Sequence, residues 1–83
     1  MTEWDARAAV IEALGQIAPE LEPGDLEDGA RLRQDLDLDS LDFLRLIEQI
    51  AGTTGVDVPE RDYPRVTTVG ELVRYLDARR TAT

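Results

Sequence analysis

Apolar side chains recur at helical spacing from the start of the chain to Pro19. Trp4, Ala8, Ile11, Leu14 and Ala18 form one stripe, flanked by Val10 and Ile17. Thr2 is placed to cap this run, Glu3 and Asp5 sit where the helix dipole favours negative charge, and Pro19 closes it. The pattern predicts a first helix over residues 3–18. Residues 19–39 then lose the period. They carry Pro23, Gly24 and Gly29 among Leu21, Leu26, Leu32, Leu36 and Leu38, which predicts a long loop held down by its own leucines.

Periodicity returns after Asp39. Phe43, Leu44, Leu46, Ile47, Ile50 and Ala51 fill one face and Asp42, Arg45, Glu48 and Gln49 the other, predicting a helix over 40–51 that Gly52 ends. Pro64 removes a hydrogen bond and restricts Tyr63, so residues 60–63 are expected to make a short helix only. Thr68 and Glu71 are spaced as a capping box, and Val69, Leu72, Val73 and Leu76 supply the stripe of a last helix over 69–79. The fold class is therefore all-α. A single domain is expected: a small antiparallel four-helix bundle with three main helices, a short third helix and a long first loop. Its core is assigned to Ile11, Leu14, Leu44, Ile47, Ile50, Leu72, Val73 and Leu76.

Composition narrows the function. The 83 residues are 42% hydrophobic and 33% charged, which is the make-up of a soluble globular domain, and no apolar run is long enough to span a bilayer. The first ten residues, MTEWDARAAV, lack the basic and greasy parts of a secretory signal, so a cytoplasmic location is expected. Eighteen acidic residues against nine basic ones give a net charge of −9, which repels nucleic acid and anionic membranes and attracts basic partners. The chain has no Cys and no His. Disulfides, thiolate metal sites and His-based general acid or base catalysis are thereby removed. A serine hydrolase also fails for want of a Gly-x-Ser-x-Gly elbow.

The segment DLDLDSLD, Asp35 to Asp42, is where the chemistry concentrates. As a calcium loop it offers Asp35, Asp37 and Asp39 as ligands, but Ser40 replaces the required glycine, Phe43 stands at the ninth position and Leu46 at the twelfth. No metal site is assigned. As a helix start it offers two caps, Asp39 and Ser40. With Asp39 as the cap, Ser40 becomes the first helical residue, and its hydroxyl is left over at a helix N-terminus where an attached phosphate would be stabilised. Leu41 falls on the polar side of the wheel among Arg45 and Glu48, an apolar side chain offered outward beside that serine.

Asp39-Ser40-Leu41 at a helix start, after a leucine-bearing loop and before an acidic amphipathic helix, resembles the phosphopantetheine-dependent carrier proteins, acyl carrier proteins in particular. The resemblance extends through VDVP at Val56–Pro59 and VTTVGELVRYL at Val66–Leu76. It implies that a separate phosphopantetheinyl transferase brings coenzyme A and that Ser40 Oγ attacks its pyrophosphate, leaving 4'-phosphopantetheine as a phosphodiester on Ser40. It implies in turn that the chain is no enzyme but carries acyl or polyketide intermediates as thioesters on that arm, whose thiol the chain itself lacks. Asp39 is then the motif residue and cap. Leu41, Asp42, Arg45 and Glu48 are the expected surface for acyl-loading ligases or synthases with basic docking faces. Arg45 interrupts the acidic face and Pro64 shortens the third helix, two departures from the family pattern. The glycine-rich lead-in of aminoacyl and peptidyl carriers is missing from LDLDSL, which favours acyl cargo. Met1 and the short ends are read as favouring a free-standing protein over an excised module, and a monomer is expected. A nonribosomal peptidyl carrier and an unmodified acidic helical adaptor are the alternatives.

Overall fold

A computed structural model describes residues 5–81, which form three α-helices and two 3-10 segments. The first helix, α1, runs Ala6–Ile17. Asp5, expected inside it, is instead its cap: in an extended conformation its carboxylate accepts from the backbone N–H groups of Arg7 at 3.0 Å and Ala8 at 3.3 Å. The cap and stripe positions assigned to Thr2 and Trp4 lie outside the described residues. The buried face is also rotated, by about a quarter turn at about 100° per residue. Ala6, Val10, Ala13, Leu14 and Ala18 are buried, Ile11 is only half-buried and Ala8 is exposed. The reason is that α1 packs against both of the other long helices, so it buries the broad side between them and not the narrower stripe the spacing suggested.

The loop of residues 19–39 is packed rather than slack. A 3-10 turn, Pro23–Asp25, starts it, and Leu26, Leu32, Leu36 and Leu38 are all buried. Arg31 closes its second half on Asp35: the Arg31 backbone N–H donates to the carboxylate at 2.8 Å and the guanidinium makes two more bonds to it. Those bonds hold the Asp35 carboxyl below its usual range. The loop then leans on the start of the last helix. Leu32 N–H donates to the Thr67 carbonyl at 2.9 Å, Val69 N–H to Ala30 at 3.0 Å and Gly70 N–H to Asp28 at 2.9 Å. A Cβ on residue 70 would stand 2.9 Å from Asp28 Cβ, so only glycine lets the two backbones approach this closely. Asp28 also pairs with Arg7, tying the loop to α1.

The second helix, α2, spans Ser40–Thr54. It runs through Gly52, where it was expected to stop. Thr53 and Thr54 turn their hydroxyls back onto the carbonyls of Gln49 and Ile50, and the break comes at Gly55, whose φ of 77° is the left-handed geometry of a helix end. Phe43, Leu46, Ile47 and Ile50 are buried, whereas Leu44, assigned to the core from the sequence, is 43% exposed. On the wheel Leu44 lies about 110° from the centre of the buried group, outside the zone the neighbours cover.

Pro64 does not cut the next element short. Glu60–Arg65 is a 3-10 helix with Pro64 inside it. The bonds at its two ends, Asp62 N–H to Pro59 at 2.9 Å and Val66 N–H to Tyr63 at 3.1 Å, fall on either side of the missing donor. Helix α3, Val69–Thr81, starts on the expected capping box: Glu71 N–H donates to Thr68 Oγ1 at 3.1 Å and Thr68 N–H to Glu71 Oε1 at 3.2 Å. Among the described residues the only sheet-like pairing is one isolated bridge, Arg31 to Thr68. The fold is a small all-α bundle, and among the described residues no helix is long and apolar enough to cross a membrane.

Asp62 fastens the 3-10 helix to α3. Its carboxylate is buried, accepts from Tyr75 OH at 2.6 Å and from Arg79 at 3.0 Å, and Arg79 also lies over the Tyr75 ring. The Tyr75 hydrogen bond, helped by Arg65, Arg79 and Arg61, holds the Asp62 carboxyl below its usual range. A carboxyl lowered in the folded state contributes stability that is present above its unfolded pKa and lost as pH falls through the folded value. Thermal melts are therefore expected to weaken on acidification below about pH 4. Asp62→Asn should lower the neutral-pH melting temperature and flatten that decline. An acid limb as steep in Asp62→Asn as in wild type would place the titration elsewhere.

Candidate functional site

Ser40 is the first residue of α2 and its side chain is exposed. The cap is Asp39, in extended conformation, with Oδ1 accepting from Asp42 N–H at 2.8 Å, while Phe43 N–H donates to the Asp39 carbonyl at 2.9 Å. The helix start is thus satisfied without Ser40. The backbone N–H groups of Ser40 and Leu41 have no acceptor among the described residues, so two donors and the positive end of α2 face the space around the hydroxyl. Those donors and an exposed hydroxyl suit a phosphate ester in charge and in room.

The structure groups the residues singled out from the sequence along the first turns of α2. Leu41 is 65% exposed, Asp42 is half-buried, and Arg45 and Glu48 are exposed. Leu44 joins them. With Leu41 and Glu48 it makes a strip beside Ser40, apolar at its centre and charged at its edge. The calcium loop does not assemble: Asp35 is turned onto Arg31 and Asp39 onto the helix start. Among the described residues no group of three or more metal-binding side chains comes together.

Sequence reasoning missed three contributors. Arg33 donates to Ser40 Oγ at 3.1 Å from seven residues upstream in the loop. Tyr63 packs edge-on against Phe43, with ring centroids 5.0 Å apart, and Glu60 stands close by. Together Arg33, Ser40, Phe43, Leu44, Glu60 and Tyr63 line a hollow of about 240 Å³ at the foot of the serine. Beside it lies a larger cleft of about 490 Å³ between the loop and the 3-10 helix, which shares Arg33, Phe43 and Tyr63. A helical wheel can flag Leu44 as an edge position. Nothing local in the sequence brings Arg33 or Tyr63 to Ser40, because only the loop and the 3-10 helix carry them there.

Comparison with known proteins agrees with this geometry. Residues 7–76 match the family described as "Phosphopantetheine attachment site". The chain is 36% identical over 70 residues to an acyl carrier protein of Rhodococcus erythropolis, covering 81% of this chain and 77% of that one. It is 30% identical over 77 residues to an acyl carrier protein of Chlamydia muridarum, covering 93% and 94%. A meromycolate extension acyl carrier protein of Mycobacterium leprae is 28% identical over 76 residues, covering 92% of this chain and 65% of that protein. With a family match over most of its length and relatives at these identities, the chain belongs to the acyl carrier proteins, which carry acyl groups on 4'-phosphopantetheine and work with partner enzymes such as synthases and transferases.

Proposed function

We propose that Ser40 is the residue to which 4'-phosphopantetheine is attached, and that the chain presents acyl intermediates, of fatty-acid or polyketide type, to enzymes that dock on the start of α2. The observation that carries this is the division of labour at the helix start: Asp39 does the capping, and the Ser40 hydroxyl is exposed and takes no part in the cap. Ser40 is also the only serine in the chain. The bound group supplies a thiol that holds the cargo as a thioester. The protein's own residues supply position and recognition. Ser40 offers the nucleophilic oxygen to a transferase, Asp39 fixes the helix start, and Leu41, Asp42, Arg45 and Glu48 form the surface the partner reads. The names of the relatives, all acyl carriers, support acyl over aminoacyl cargo.

Intact mass after incubation with coenzyme A and a broad-specificity phosphopantetheinyl transferase tests the attachment. A gain of one phosphopantetheinyl group is expected, and no gain with any transferase would leave the unmodified adaptor in its place. The docking surface has its own test. Asp42→Arg or Glu48→Arg should slow modification by reversing charge where a basic partner approaches, and the slowing should shrink as salt rises. Leu41→Ala should slow it at every salt concentration, because the lost contact is apolar. Initial rates at low and high salt separate the two, and identical salt profiles for all three variants would refute the assignment of the surface.

A further inference from the structure

Among the described residues three arginines are each held by a carboxylate. Arg31 is engaged by Asp35, Arg7 by Asp28 and Arg79 by Asp62. Arg33 has no carboxylate partner among the described residues, although Asp35, Asp37, Asp39 and Asp42 are all close in sequence; its guanidinium donates to Ser40 Oγ at 3.1 Å. We propose that Arg33 is a positioning residue, which holds the phosphate of the group attached at Ser40 and turns the arm toward the cleft between the 19–39 loop and the 3-10 helix. This rests on Ser40 being the attachment residue.

The chemistry favours it on three counts. A phosphodiester adds a negative charge to a neighbourhood already crowded with aspartates, and Arg33 is the cation in contact with the oxygen that becomes its ester link. Esterification turns a hydroxyl into a poor acceptor but places non-bridging oxygens two bonds further out, on the phosphorus. A guanidinium fork meets such oxygens in pairs, in a way an ammonium does not. The position of Arg33 also sets a direction, since it lines both the hollow beneath Ser40 and the larger cleft, together with Phe43 and Tyr63. A phosphate held there starts the arm toward the hollow and the cleft, with Leu44 as the border between that side of α2 and the strip where partners are proposed to dock. Arg33 is exposed, so the tether is weak and salt-sensitive rather than a source of stability.

The test compares wild type, Arg33→Gln and Arg33→Lys after modification, each first shown by intact mass to carry one group. The 31P resonance of wild type is expected to move between low and high salt as the ion pair is screened. That of Arg33→Gln should stay near the high-salt position throughout, and that of Arg33→Lys should fall between. Attachment should shift the backbone amides of Phe43 and Tyr63 in wild type and lose that effect in Arg33→Gln, with apo melting temperatures unchanged. A modified Arg33→Gln protein with the wild-type 31P shift at low salt and the wild-type amide changes would overturn the proposal. Failure of wild type to gain mass would instead overturn the assignment of Ser40, and this proposal with it.

Discussion

Ser40→Ala is expected to abolish the gain of one phosphopantetheinyl group completely, while leaving the far-ultraviolet circular dichroism nearly unchanged. The first half follows from the sequence of the chain itself: with no second serine, there is no neighbouring residue of the same kind to take the group. The second half follows from the cap. Asp39 Oδ1 holds Asp42 N–H at 2.8 Å, and the Asp39 carbonyl holds Phe43 N–H at 2.9 Å, so α2 keeps its start when the Ser40 hydroxyl is removed. The only bond lost is the exposed one from Arg33, a kind that contributes about 1 kcal/mol or less. Asp39→Ala makes the opposite variant. It removes the cap at a cost of about 0.5 to 2 kcal/mol and leaves the hydroxyl in place. Its modification should be slowed through a frayed helix start rather than lost. A modified Ser40→Ala protein, detected by intact mass, would show that the nucleophile lies elsewhere.

The parts of this picture that could be read from the sequence are those set by neighbours along the chain. The Thr68 and Glu71 capping box, the Asp39 cap and the outward Leu41 each depend on a spacing of a few residues, and each is where the spacing put it. What escaped depends on packing between elements. Spacing alone points the stripe of α1 at Ile11; two long helices cover α1, and Ala6 and Ala13 are buried while Ile11 is only half-buried. The end of α2 was placed at the first glycine, but a glycine stops a helix only where the backbone turns left-handed, and that happens at Gly55. Pro64 was read as a breaker because an α-helix needs the missing N–H. The 3-10 pattern has bonds at Asp62 and Val66 that do without it.

The same division explains the site. Asp39, Ser40, Leu41, Asp42, Arg45 and Glu48 are one stretch of helix, so a wheel is enough to bring them together. Arg33 reaches Ser40 only because Arg31 and Asp35 close the loop into a turn and Leu32 and Leu36 anchor it from below. A periodicity reading has no term for that. It treats Arg33 as one more charge in a polar loop, although its partner is the hydroxyl proposed to carry the arm.

Leu72→Ala and Leu44→Ala should part company in stability by several-fold, although the sequence pattern ranks both leucines as core. Leu72 is completely buried in α3, and truncating it leaves a cavity in a close-packed interior. A cost of about 2 to 5 kcal/mol is expected, a large share of the roughly 5 to 15 kcal/mol that holds a small domain folded. Leu44 is 43% exposed, so much of its surface is already in water and its loss opens no enclosed space. The cost there should be under about 1 kcal/mol. Its effect belongs to recognition: it borders Leu41 beside Ser40, so Leu44→Ala should slow modification by the transferase much as Leu41→Ala does, at every salt concentration. Chemical denaturation midpoints for the two variants decide the first point, and modification rates of the folded proteins decide the second. Equal losses of stability would mean that α2 is rotated from the placement described, bringing Leu44 inward and taking the apolar strip beside Ser40 away from any partner.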